Sequence, residues 1–576
     1  METLKKVGGF LAPEAKKSDD GRDQWPSRTS FILASMCGCA GLGNLLRFPS
    51  QVYNNIGLQW FIPYLMAVFI IAIPTLILEV SIGQAYRGGC VIAFNNINQR
   101  LKGMGLGLLF IAFCIGPYFV MNLAWIMAYF RHSFASPLPW KGRTKEFFME
   151  NVVRNVSPVE AGTYVQYPGV ALIGEIVGWS AFTWFLIWLC IFRGIGMTGR
   201  VVYFTMGLPI VITIVLIVVR SCGQVFFSTG VGFGYFTSYA SYNQKYSNAV
   251  MDSVIIACSN ALFEIFAVLG CIGFLQLFPD PNSRIGSSDI GFLTWLEAVA
   301  NMPGANFWAV ALFFTLMVLG FSSAFAILDS IVTLIMDAQK RFRRPIVVTG
   351  IVILSFLLTL PYFDRWINDV ALVFVVWAEC YTSTTIYRWK DVWGQVGKPA
   401  YFVYNGCFLL AMILGVAIGH AVQPSTGAGA GFGLFITGVV VSVLIATEPD
   451  TKAPSFWNRN VSLRKLFYLA FYSGNQLTID LNLIVATGNN WAVPIFWAPL
   501  LPSSATSLFY AVRDDPLHIF GFATAHLVLI SIILGLIVPS WFDVFIPVAR
   551  QHERKIEYAP GVAGSSVSII AGRSNG

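Results

Sequence analysis

The stretch Ser35-Met-Cys-Gly-Cys-Ala-Gly-Leu-Gly-Asn-Leu-Leu-Arg-Phe-Pro49 decides how this chain is read. It lies inside an apolar run, residues 29–54, long enough to cross a bilayer as a helix. Yet it carries Gly38, Gly41 and Gly43, then Asn44, Arg47 and Pro49, which serve an unbroken lipid-facing helix badly. An interrupted helix in lipid leaves carbonyls without donors, tolerable only beside a cavity or an ion. The stretch therefore reads as a broken span whose freed carbonyls bind something small and positive. The plainer alternative is a glycine-rich face for helix packing. A second break of the same character in mid-chain favours the broken span.

The surroundings agree with a membrane setting. Of 576 residues, 56% are hydrophobic and 11% charged, and the mean hydropathy is +0.67, which places the chain among polytopic helical membrane proteins. The 17 Trp and 48 Phe fit interfacial belts and a membrane core. A net charge of +8 is not a nucleic-acid signal here, because the basic residues fall in short stretches between spans. Lys5, Lys6, Lys16, Lys17, Lys340, Arg341, Arg343 and Arg344 read as markers of the cytoplasmic side. The ten cysteines lie mostly within spans (Cys37, Cys114, Cys190, Cys258) without zinc-like spacing. The loop 133–168 has none, so no structural disulfide is expected there. The polar first 28 residues precede any apolar run, so no cleavable signal peptide is expected.

Candidate spans run over residues 29–54, 58–86, 104–131, 169–192, 198–220, 225–243, 249–278, 304–338, 345–362 and 366–388. Four more follow at 401–422, 428–447, 489–511 and 517–541. Fourteen is even, so both termini are expected on one side, and the basic clusters make that side cytoplasmic. The loop 133–168 is then external and holds the sequon Asn155-Val-Ser157. In the loop 279–303, Phe292-Leu-Thr-Trp-Leu-Glu-Ala-Val-Ala300 reads as a short re-entrant helix. The second break is Gly223-Gln-Val-Phe-Phe-Ser-Thr-Gly-Val-Gly-Phe-Gly234. Its glycines let backbone approach a ligand, and free amides at a half-helix start attract a carboxylate. Phe226, Phe227 and Phe233 would wall an apolar part. The broken first and sixth spans start halves of five spans each, the pattern of an inverted-repeat transporter. The expected fold class is thus an all-α polytopic membrane protein with an inverted five-plus-five helix repeat and additional C-terminal spans. The expected division is a cytoplasmic segment 1–28, a ten-span core 29–388, additional spans 389–547 and a cytoplasmic tail 548–576.

Particular residues bring a resemblance into view. Arg22, Trp25, Arg28, Gly41-Leu-Gly-Asn-Leu-Leu-Arg-Phe-Pro49 and Ile62-Pro-Tyr64 resemble the opening of the neurotransmitter:sodium symporter family. Ile73-Pro74 with Leu78-Glu79, Gly223-Gln-Val-Phe-Phe227, Gly232-Phe-Gly234 and Tyr239-Ala-Ser-Tyr242 continue it. Glu297-Ala-Val-Ala-Asn-Met-Pro303 and Gly320-Phe-Ser-Ser323 extend it, so that it runs from about residue 22 to 390. The family has twelve spans, so one hairpin is extra here, either inserted as 401–447 or appended as the final pair.

The resemblance implies one sodium site from the carbonyl of Cys39, the side-chain oxygens of Asn44 and Asn260, and Ser228. It implies a second from the carbonyls of Cys37, Ala40 and Leu319 with the hydroxyls of Ser322 and Ser323. A small hard cation wants several oxygens, and an opened helix beside adjacent serines supplies them. The resemblance implies an outer gate of Arg47 with Asp364 and an inner gate of Arg22, Asp337 and Tyr242, with Trp25 nearby. It implies a substrate pocket lined by Gly38, Gly41, Ile115, Phe119, Phe227, Gly230, Phe233, Ser323 and Ile327. Gly41 stands where the family's monoamine carriers bear an Asp, which disfavours an amine without its own carboxylate. Phe119 stands where the family has a Tyr for the substrate carboxylate, and the hydroxyl is either missing or shifted to Tyr118. Tyr64, Gln224, Ser228 and Asn260 match the chloride environment of animal relatives, but Glu264 replaces a Ser there. A carboxylate at that place, as in chloride-independent bacterial members, is a fixed charge that substitutes for chloride.

The expected function is therefore sodium-coupled symport of a small neutral amino acid or related zwitterion, across the plasma membrane, by alternating access. No cofactor is expected beyond sodium as the coupling ion, and the expected partners are a small-molecule substrate and sodium. No nucleic acid is expected, and a homo-oligomer stays open. A transport-deficient nutrient sensor on the same fold is the first rival, motivated by Phe119 and the enlarged C-terminal region. A membrane enzyme using Glu79, Glu175 or Glu379 fits badly, since these acids are dispersed without a nucleophile motif, and an enzyme is not expected. A channel would lack a reason for two charge gates.

Overall fold

The computed structural model describes residues 16–17, 22–39, 41–54, 61–154, 173–192, 232–243, 247–275, 290–302, 304–339, 342–359, 385–477 and 534–546, with isolated positions between them. Apart from a two-residue antiparallel pairing of β1 (Lys16–Lys17) with β2 (Asp23–Gln24), its regular structure is helical. The first predicted span is two helices, α1 (Arg28–Cys39) and α2 (Phe48–Asn54). They are joined through a wide turn over Gly43–Arg47, and the two halves meet at 45°. Asn44 N donates to Gly41 O at 3.2 Å, while Phe48 N reaches back five residues to Gly43 O. The regular i to i−4 ladder is thus interrupted where the glycines stand.

The second predicted span is α3 (Phe61–Ala67) continued through a wide turn into α4 (Ile73–Tyr86). The third is α6 (Lys102–His132), preceded by α5 (Cys90–Ile97), and the fourth is α7 (Gly174–Ile191). Helix α8 (Tyr235–Ala240) starts directly after Gly232 and Gly234, whose φ of 84° and 73° only glycine adopts without strain. Then come α9 (Ala249–Leu275), α10 (Trp295–Ala300), α11 (Ala305–Ala338) and α12 (Arg344–Thr359). The stretch expected as a short re-entrant helix is helical, and Trp295 Nε1 donates to Leu45 O at 3.4 Å beside the first break. Helices α6 and α11 have 31 and 34 residues, longer than the roughly 20 that a bilayer core requires.

Past residue 385 lie α13 (Trp389–Val396), α14 (Lys398–Ala421), α15 (Pro424–Ile445) and α16 (Val461–Leu466). Helices α14 and α15 form a tight hairpin: an ideal Cβ on Gly431 would lie 2.9 Å from Ala411 O. Small residues let the two backbones approach, as membrane helices require when lipid competes for apolar contact. Phe402, Ile413, Phe432, Val440 and Leu444 point outward and are exposed, as on a lipid-facing hairpin.

Contacts divide the chain into two compact units. The first holds residues 1–76, 112–244 and 250–363, including the break in the first span, α8, α9 and α11. The second holds residues 77–111, 245–249 and 364–576, including the α14–α15 hairpin. Several helices are not expected from the sequence, among them a short one, Thr144–Glu146, that runs on through Phe147–Val152. Helices α5 and α13 are short, and α16 runs on in helical form to Leu477, in a stretch assigned to no span. Asn460 caps α16 by accepting from Ser462 N at 2.6 Å, a local signal that a search for bilayer-length runs passes over. Most of the spans expected at 198–220, 366–388, 489–511 and 517–541 lies outside the described residues.

Candidate functional site

The break in the first span collects oxygen atoms. Ser322 Oγ on α11 donates to Leu319 O at 2.7 Å and lies 3.2 Å from Cys37 O on α1. Ser323 Oγ lies 3.3 Å from the same two carbonyls. Of the five oxygens expected for the second sodium site, both hydroxyls are thus within hydrogen-bond reach of two carbonyls; the fifth oxygen, of Ala40, lies outside the described residues. An ideal Cβ on Gly41 would sit 2.5 Å from Ser323 Oγ, so Gly41 is what lets that serine approach the break. All four residues are buried, which removes water as a competitor for the oxygens.

A second polar group forms where α2's approach meets α9. Asn44 Nδ2 donates to Asn260 Oδ1 at 2.9 Å, and neither side chain is more than 2% exposed. One turn further along α9, Glu264 is fully buried and accepts from the Tyr64 hydroxyl of α3. This arrangement keeps Asn44, Asn260, Tyr64 and Glu264 in one polar patch, while Gln224 and Ser228 lie outside the described residues. A buried carboxylate is stable only with donors or positive charge beside it. The patch is chemically suited to a cation beside a fixed negative charge.

The expected pocket side chains that the structure describes are all inward. Ile115, Phe119, Phe233, Ser323 and Ile327 are buried, whereas Phe227 and Gly230 lie outside the described residues. Phe119 follows Ile115 by four residues on α6 and shares its face, and Tyr118 is only half-buried. Between them Pro117 removes one intrahelical donor from the middle of α6.

The end of unit one where the inner gate is expected is tied by charge. Arg22 holds Asp337 in a bidentate pair at 2.7 and 3.2 Å, donates to Ser241 Oγ at 2.8 Å, and lies 4.6 Å over the Tyr242 ring. Trp25 Nε1 donates to Tyr239 O at 2.9 Å, and Trp25 N to Tyr242 O at 3.1 Å. Two further ion pairs are not anticipated by the sequence: Arg28 with Asp252 at 2.6 Å, and Arg344 with the fully buried Asp329. Arg47 is half-buried, and its expected partner Asp364 lies outside the described residues. Of the three acids weighed for an enzyme, Glu175 is paired with Arg131 at 2.8 Å, and Glu79 and Glu379 are fully buried.

This chain matches the Sodium:neurotransmitter symporter family over residues 22–167 and 219–413. The chain belongs to that family. The symporter is 28% identical over 459 residues to the "Creatine transporter" of Torpedo marmorata, covering 68% of this chain and 74% of that one. It is 28% identical over 413 residues to the "Sodium- and chloride-dependent GABA transporter 2" of Homo sapiens, covering 60% and 68%. It is 26% identical over 531 residues to the "Sodium- and chloride-dependent taurine transporter" of Bos taurus, covering 75% and 85%. Among solved structures it is similar to MhsT in complex with L-phenylalanine, at TM-score 0.53 and 19% identity, covering 74% of this chain and 99% of that one. The fold is therefore the LeuT fold, and the symporter is an integral, multi-pass membrane transporter rather than an enzyme.

Proposed function

We propose that this symporter couples the inward sodium gradient to uptake of a small neutral amino acid or a related zwitterion across the plasma membrane, with both termini cytoplasmic. The observation that carries the reading is the convergence of Cys37 O, Leu319 O, Ser322 Oγ and Ser323 Oγ at the break of the first span. Such a set satisfies a dehydrated sodium ion and leaves the substrate beside the same unwound backbone. The Asn44–Asn260 pair supplies the second ion position, with Ser228 and the Cys39 carbonyl as further donors. Relatives named for creatine, GABA and taurine carry small polar or zwitterionic solutes, which is the class this reading chooses.

Two of those relatives are named sodium- and chloride-dependent. We assign this symporter to chloride-independent transport, because Glu264 places a carboxylate beside Tyr64 and Asn260. Alternating access would then work through the Arg22–Asp337 lock on the inside and Arg47 with Asp364 on the outside. The test is uptake of labelled amino acids, taurine, GABA and creatine into proteoliposomes under a sodium gradient. Sodium-dependent, chloride-independent accumulation supports the reading. Sodium-dependent binding without accumulation favours the sensor that Phe119 motivates, and no sodium effect on either overturns both.

A further inference from the structure

Tyr235 occupies the place where Gly38 has no side chain. It is the first residue of α8, and the residue before it, Gly234, is left-handed at φ 73°. The far end of the phenol then lies on α1: an ideal Cβ at Gly38 would be 2.6 Å from Tyr235 Cζ and 2.8 Å from its Oη. The ring cannot yield easily, since it is wholly buried and held by Phe236 at 4.3 Å and Tyr239 at 6.1 Å. Its other neighbour is Phe233, at 6.5 Å, a residue of the expected pocket. The hydroxyl reaches Cys39 Sγ at 3.5 Å, and Cys39 itself donates to Ser35 O at 3.1 Å. Of the glycines of the break, Gly41 is thus keyed to Ser323 and Gly38 to Tyr235.

We infer that Tyr235 is a specificity-determining residue of this symporter. It walls the binding pocket from the sixth span at the point where the first span contributes only backbone, and it brings a hydroxyl to that point. The ligand class that fits is a short zwitterion, because the phenol takes volume a longer side chain would need and offers a polar group to a charged end. This size limit rests on the proposed amino-acid-type substrate; the wall itself does not.

Two measurements test it. In sodium-dependent uptake, competition by glycine, alanine, leucine and phenylalanine gives a size preference for the wild type and each variant. Tyr235→Ala should move the leucine-to-glycine ratio about tenfold or more toward the larger ligand, the scale that one or two methylenes reach in an apolar pocket. Tyr235→Phe should keep the size order and weaken the small ligands. A fall of all ligands together, with the ratio unchanged, would mean that the ring only packs the core and would overturn the inference. The second measurement needs no substrate: the rate at which a small methanethiosulfonate labels Cys39, read by mass spectrometry against Cys39→Ser. Tyr235→Ala should raise it about tenfold by opening the wall, and an unchanged rate would also overturn the inference. Should Tyr235→Ala fail to fold, Gly38→Ala/Tyr235→Val should still restore the labelling and the altered size order that Gly38→Ala alone cannot give. If no amino acid is taken up by the wild type, the functional reading fails while the Cys39 rates still decide whether Tyr235 is the wall.

Discussion

Asn44 and Glu264 carry two different parts of one electrostatic task. Asn44 offers a neutral oxygen whose position is fixed by its bond to Asn260, and Glu264 offers a charge one turn along the same helix as Asn260. Asn44→Ala should remove one ion ligand and leave the helix break intact, since the glycines cause the break. The expected cost is that of a charge-assisted polar contact, about 1.5–3 kcal/mol, or roughly a 10- to 100-fold loss of sodium affinity. A sodium titration of thermal stability or uptake reads it; wild-type affinity in a correctly inserted variant would show that the site lies elsewhere. Phe119→Tyr asks about the ligand. Phe119 is buried on the Ile115 face, so a hydroxyl added there would meet the pocket. For an α-amino acid, affinity should rise by up to about 1.5–3 kcal/mol, the net worth of one charged hydrogen bond. A large fall instead indicates a ligand without a carboxylate at that spot.

In the proposed alternating-access cycle the elements around these residues move, and their ends hold the locks. The inner lock unites β2's flank, α8 and the end of α11 through Arg22, Ser241 and Asp337, whose pair is only 10% and 13% exposed. Such shielding gives the pair more weight than an open surface bridge of about 0–1 kcal/mol. Asp337→Asn should therefore shift the population toward an inward-open state, read as faster labelling of a Ser241→Cys thiol in inside-out vesicles. The charge-reversed pair Arg22→Asp/Asp337→Arg should recover part of the closed population, and failure of both effects would assign Arg22 to topology alone. How legible these elements are in the sequence follows from where their information sits. The break at Gly41–Asn44 is local: glycines, an amide and an arginine within one apolar run are what an opened membrane helix needs and what a closed one avoids. The Asn44–Asn260 contact spans 216 residues, so only the family resemblance brings the two together. Tyr235 on Gly38 is not legible at all, because a glycine's sequence position says nothing about which distant ring will cover it. Helix α16 escapes for the opposite reason: its signal is a single capping Asn460, too small to register beside apolar runs of bilayer length.

At the scale of the whole transporter, the proposed fixed charge at Glu264 would determine how much charge each cycle moves. A zwitterion contributes none, and a carboxylate that belongs to the protein returns with it. If both oxygen sites at the first break carry sodium, two positive charges cross per substrate, with no chloride to offset one of them. Each elementary charge gains about 2.3 kcal/mol per 100 mV of membrane potential. An inside-negative potential of that size should then add about 4–5 kcal/mol to accumulation, a rise of roughly three orders of magnitude in the limiting gradient. A carrier that moved chloride as well would gain only half of that energy. Glu264→Ser converts one case into the other: it removes the carboxylate bonded to Tyr64 and leaves room for an external anion. The wild type should keep its uptake when chloride is replaced by gluconate, and its accumulation should respond to voltage as two charges. The variant should need chloride and respond as one. Potassium gradients with valinomycin, imposed on the same proteoliposomes, measure both responses. A wild type that needs chloride, or a variant whose voltage response does not fall, would remove Glu264 from the ion cycle.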